Sequence, residues 1–167
     1  MTTISREIEI TKSKEEVWNA IAKLGDICHA SPGVLKSHVT SELREGVGAT
    51  RHVDFTKMGA TLEEKIITWN EGESLSLEVY EFHKLPGIKS MTADFSVRRE
   101  NNKTMLRADL HYDMKNVFFN IMNSLIMKKM STKNWNAVLA GHKKYIETGE
   151  RVVKKTVLEL NKVIVLN

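Results

Sequence analysis

The polar residues best placed for chemistry are an arginine and a glutamate on neighbouring stretches of alternating sequence. Arg51 shares its parity with Val53 and Phe55, and Glu64 shares its own with Leu62 and Ile66. Both therefore point toward the dry side of a sheet. A charge held there needs a partner or a polar ligand. Two readings carry equal weight: a pair that orients a guest, and a structural ion pair near the sheet rim. Tyr112 is a candidate hydroxyl donor to a ligand carbonyl, with a core tyrosine bonded locally as the plainer reading. His142 lies in an apolar helical stripe. Glu64, Tyr112 and His142 are the catalytic candidates, although a lone histidine in such a stripe is more often a packing residue. Met122, Met127 and Met130, with Phe118 and Phe119, suit either a pliable pocket wall or ordinary core. His83 and Glu81, ahead of the Pro86-Gly87 turn, belong to a gate or to an exposed loop.

Other chemistries find no support in the spacing. The six histidines are scattered, so no metal site and no cofactor are expected. Cys28 and His29 are adjacent and point apart on a helix, which makes a poor nucleophile–base couple. Glu63 and Glu64 fall on opposite faces of a strand and cannot act as an acid/base pair. Gly46-x-Gly48 reads as a hairpin turn, and there is no nucleophile elbow or phosphate-binding loop.

These residues need elements to position them. The 167 residues suit one domain with a real core. Ile4, Ile8 and Ile10 alternate with Ser5, Glu7 and Glu9 in a half-buried strand over 3–11. Ser13 and Glu16 have capping-box spacing, and Val17, Ile21 and Leu24 then mark a helix over 14–23. A second short helix is expected over 26–30. The period then becomes two, giving strands near 34–44, 47–56, 60–70, 74–83, 89–99 and 104–114. Glu45-Gly46, Met58-Gly59, Glu71-Gly72, Pro86-Gly87 and Asn101-Asn102 punctuate them, and connections this short imply antiparallel neighbours. Beyond Asn116 the pattern is helical for about 30 residues, with Phe119, Met122, Ile126, Met130, Trp135, Val138, Leu139, His142 and Ile146 as the stripe. Ser131-Thr132 marks a bend or a fresh start, and Gly149 a stop. The α+β order is β-α-α-β6-α: a seven-stranded curved antiparallel sheet around a long C-terminal helix. Residues 1–149 form the domain, and residues 150–167 are a tail open to three readings: an edge strand, a subunit exchange or an added extension.

A bent sheet and a straight helix do not meet along their whole length, so an apolar interior space is expected. Its walls are read as Arg51, Val53, Phe55, Leu62, Glu64, Leu77, Val79, Phe95, Leu110, Tyr112, Met122, Ile126, Met130 and Val138.

Several segments carry a resemblance: Ile8–Trp18, Gly46-Val47-Gly48-Ala49-Thr50-Arg51, Leu62–Ile66 followed by Trp69-Asn70-Glu71, and Leu139–Glu147, in which His142 replaces the usual leucine. Over residues 3–149 the chain resembles the helix-grip (SRPBCC, START-like) superfamily. That superfamily includes START lipid-transfer domains, polyketide cyclases and aromatases, the birch pollen allergen and the abscisic acid receptors. The resemblance is nearest to the cyclase/dehydrase-like branch. In the abscisic acid receptors the residues matching Arg51 and Glu64 lie at the ligand cavity. The resemblance implies binding of a lipid, isoprenoid, polyketide or aromatic. The alternatives are a cyclase or dehydratase, and an interaction module using the basic C-terminal helix.

Charge bears on partners. The net charge is +4, but residues 115–167 carry ten Lys/Arg against three Asp/Glu, while residues 1–114 carry fifteen against eighteen. Such asymmetry fits weak contact with an anionic membrane surface, or a solvated helix face. A homodimer through the tail is a further expectation, and no specific nucleic acid is expected. One cysteine, no secretory leader and no long apolar run point to a cytoplasmic protein.

Overall fold

The computed structural model describes residues 1–57 and 59–166. Strand β1 (Thr2–Ile10) leads into helix α1 (Lys14–Ala22), which starts on a full capping box between Ser13 and Glu16. A 3-10 turn (Leu24–Asp26) and the short α2 (Ile27–Ala30) follow. Six strands then meander: β2 (Val34–Val39), β3 (Thr50–Phe55), β4 (Thr61–Asn70), β5 (Ser74–His83), β6 (Ile88–Glu100) and β7 (Lys103–Met114). The C-terminal helix comprises α3 (Val117–Met122), a π-helical turn (Asn123–Met127) and α4 (Lys128–Thr148), ended by Gly149 in the left-handed conformation. A last short strand, β8 (Ile164–Leu166), closes the chain.

The sheet order is β2-β3-β4-β5-β6-β7-β1-β8, with every neighbouring pair antiparallel. Its concave face carries Ile4, Ile8, Ile66, Leu75, Leu77, Phe95, Leu106 and Leu110, packed with Val17 and Ile21 of α1 and Leu139 of α4. One corner is fixed by two indoles. Trp18 and Trp69 meet edge-on at 4.9 Å, and both donate to the Glu71 carboxylate, at 3.0 and 2.7 Å. Gly141 lets α4 approach α2, since a Cβ there would land on the Ala30 carbonyl oxygen.

Four expectations need correction. The sheet has eight strands, because β8 adds to the edge of β1, with Leu166 opposite Ser5 and Ile164 opposite Glu7. The tail thus ends in a three-residue edge strand, and it is pinned at its start by the Val152 N–H on the His29 carbonyl at 2.8 Å. The first hairpin strands are short, because side chains replace the ladder there: Ser41 Oγ accepts the Thr50 N–H at 2.8 Å, ahead of the positive-φ Gly46 and Gly48. The long helix changes pitch at Asn123–Met127 and runs unbroken through Ser131-Thr132. Finally, the cavity described below is smaller than expected. Met58, of the expected Met58-Gly59 turn, lies outside the described residues.

Candidate functional site

Arg51 on β3 and Glu64 on β4 are direct cross-strand partners, and Arg51 Nε donates to Glu64 Oε2. Both are buried, at 6% and 8% exposure. Arg51 Nη1 also donates to the Leu24 carbonyl at 2.9 Å, which ties the 3-10 turn to the sheet. The guanidinium thus spans from the sheet to the segment that covers it. Breaking one partner would strand a buried charge, whereas the intact pair is compensated.

His142 enters from the opposite side, on α4. Its Nδ1 is 2.8 Å from the Val138 carbonyl, which can only accept, so the ring carries its proton on Nδ1 and offers Nε2 as an acceptor. Full burial pushes its pKa down to about 4, with nearby Arg51 acting in the same direction. The ring stays neutral at pH 7. Phe95 stacks obliquely between Trp135 and His142, at 5.8 and 5.9 Å, and Trp135 Nε1 is held by the Ala108 carbonyl at 3.0 Å.

Between these groups lies a cavity of about 20 Å3, walled by Ile21, Leu75, Leu77 and Phe95 and edged by Arg51 and His142. Lys23, Asp26 and Tyr145 stand on its outer side. That volume holds one water molecule. It is far smaller than the interior space expected from the sequence. A larger hollow of about 450 Å3 is an open polar groove by Glu9, Lys12, Glu16, Arg99 and Lys103 on the far corner of the sheet.

The structure brings together only part of the expected wall. Arg51, Leu77, Phe95 and His142 line the cavity, and Glu64 reaches it through Arg51. Val53, Leu62 and Val79 form a separate buried cluster with Cys28 and Val34, against which Phe55 packs. Leu110 and Tyr112 belong to the main core. The Tyr112 hydroxyl is already used: it donates to Asn123 Oδ1 at 2.8 Å, while Asn123 Nδ2 donates to Thr2 Oγ1 at 3.0 Å. Met122 and Val138 are half-buried, and Ile126 and Met130 are exposed. Glu81 and His83 are exposed on paired strand, opposite Glu63 and Thr61.

The buried polar residues Arg6, Ser31, Thr104 and Asn123 escape a reading of the sequence, and Glu7, expected on the wet face, is buried where β8 pairs beside it. Asn123 holds the π-helical turn, and a polar residue inside a Met-rich stripe is its only signal. Arg6 is 7% exposed and donates to Asn136 of α4 at 2.6 Å. Its signal is parity, since it falls on the same face as Ile4 and Ile8.

Over residues 1–147 the sequence matches the family described as polyketide cyclase / dehydrase and lipid transport. The chain belongs to that family. No curated protein matches it by sequence. Among solved structures, it is similar to the protein TTHA0849 of Thermus thermophilus, at 16% identity and a TM-score of 0.72, covering 87% of this chain and 97% of that one. It is also similar to the major latex-like protein 151 of Panax ginseng, at 13% identity and a TM-score of 0.69, covering 86% and 96%. The Bacillus cereus protein XoxI aligns at 16% identity and a TM-score of 0.66, covering 90% and 96%. At these identities the likeness establishes the fold. In this family member the cavity is small, with a polar Arg51–Glu64–His142 edge on an apolar wall.

Proposed function

We propose that this family member binds an apolar small molecule with one or two polar groups inside its grip, by parting the walls of this small cavity. The observation that carries this reading is the neutral His142 acceptor and the Arg51–Glu64 pair, facing the same small apolar space from opposite sides. A hydroxyl of the guest would donate to His142 Nε2, and an oxygen would accept from Arg51. Membership in a family described by cyclase, dehydrase and lipid transport supports the same class of guest.

Ligand pockets commonly measure about 300–1,000 Å3, so the cavity must expand more than tenfold. Burial of about 300 Å2 of apolar guest surface contributes roughly 7 kcal/mol, from which the cost of parting the walls is subtracted. Affinity is reduced by the fraction of molecules that are open. The segment proposed to move is Leu24–Ala30, which lines the cavity with Asp26, Ile27 and Ala30 and is tied to the sheet by Arg51 on the Leu24 carbonyl.

Binding is favoured over catalysis by the state of His142. A general base works best with a pKa near the operating pH, and burial holds this imidazole far below it. A buried lone cysteine suits a reducing compartment and supports a cytoplasmic location.

Native mass spectrometry of freshly purified protein tests the reading. The expected result is a noncovalent small-molecule adduct that is absent from a folded Leu77→Trp variant, whose indole fills the cavity. An adduct that persists unchanged in that variant would place the guest elsewhere.

A further inference from the structure

The first half of the C-terminal helix presents an apolar face that nothing among the described residues covers. Phe119 is turned inward, its ring lying over Gly87 so closely that a Cβ there would overlap it. The opposite side carries Val117, Phe118, Ile121, Leu125, Ile126 and Met130, all between 51% and 74% exposed. Scattered exposed apolar residues are ordinary, but six within one fourteen-residue stretch are a contiguous patch.

The charges on this stretch of helix are of one sign. Lys115, Lys128, Lys129 and Lys133 are exposed, and none is in an ion pair among the described residues. Lys84 and Lys89 flank Gly87, to which this helix is joined through Phe119 and through the Lys115 N–H on the Gly87 carbonyl at 2.9 Å. Residues 115–146 contain no Asp or Glu at all. An apolar helical face rimmed by lysines is the pattern that lies in a lipid interface, with side chains in the acyl boundary and ammonium groups among the phosphates.

We propose that this face docks on an anionic lipid bilayer. A second copy of the chain fits it poorly, because a two-fold contact through the patch would set its lysines against the same lysines of the partner. No helix among the described residues is long and apolar enough to cross a membrane, so the contact is peripheral. The inference is independent of the interior site, since none of these side chains lines the cavity.

Flotation of the full chain with vesicles tests it. With equal parts phosphatidylglycerol and phosphatidylcholine the protein is expected to float, with phosphatidylcholine alone to stay behind, and high salt to release it. Lys128→Ser/Lys129→Ser should weaken partitioning about 30-fold, at roughly fivefold per lysine. Phe118→Ser/Leu125→Ser, which changes only exposed positions, should reduce flotation to background with an unchanged circular dichroism spectrum. Equal flotation with neutral vesicles, or full flotation of the Phe118→Ser/Leu125→Ser variant, would overturn the proposal. A wild-type dimer by light scattering that becomes monomeric in this variant would also overturn it and give the face to a second copy.

Discussion

Replacing His142 by leucine should remove a specific part of the protein's acid sensitivity. In the folded chain the imidazole titrates at about 4, against an ordinary value of 6.5. Below pH 6.5 the unfolded chain takes up this proton and the folded chain does not, so stability falls as pH falls toward 4. Between pH 7 and pH 5 the loss works out at about 2 kcal/mol, with a ceiling of about 3 kcal/mol once both states are protonated. For a chain of this size about 2 kcal/mol corresponds to a Tm shift of roughly 4–8 °C. His52 works in the opposite sense: its bond to Glu63 raises its pKa, so its contribution is present at low pH and fades as pH rises. That contribution is common to both proteins and cancels in their difference. The assay is urea unfolding of wild type and His142→Leu at pH 7 and pH 5. The wild type should lose about 2 kcal/mol more than the variant. Equal losses would refute the buried neutral histidine and, with it, the acceptor at the cavity edge.

Other outcomes follow from the same geometry. Arg51→Met or Glu64→Gln alone should destabilise by about 3–5 kcal/mol through the buried group left without its partner. The double replacement Arg51→Met/Glu64→Leu should recover most of that stability while losing guest binding; recovery of both would make the pair purely structural. Gly141→Ala gains about 1 kcal/mol of helix propensity but must push α4 off the Ala30 carbonyl. The clash wins, and a net loss of about 1–3 kcal/mol by denaturant unfolding is expected. Tyr112→Phe leaves Asn123 short of a donor and should cost about 1–3 kcal/mol, with no change in guest affinity.

Much of this fold is legible in the sequence, because period and parity are local. The capping box at Ser13 and Glu16, the register that faces Arg51 with Glu64, and the stop at Gly149 each depend on residues close in sequence or on one hairpin. What escapes depends on distant contacts. The tail seats itself only when β1 has a free edge to receive it. Tyr112 looks like a free ligand donor until Asn123, eleven residues on, supplies its partner. The Met-rich half of the helix looks like a pocket wall for a related reason. Its stripe is apolar, but a stripe does not say which side of the helix faces the sheet, and the turn at Asn123–Met127 rotates the phase. Cavity size is likewise beyond the sequence, since it is set by how far α2 and α4 settle around Gly141.

The most direct test follows the methyl groups by NMR during titration with 8-anilinonaphthalene-1-sulfonate, an aromatic probe with an anionic group for Arg51. The grip account predicts saturable shifts at Ile21, Leu75 and Leu77, abolished by Leu77→Trp. Shifts limited to Ile121, Leu125 and Ile126 on the exposed helix face, with the interior methyls unmoved, would contradict it.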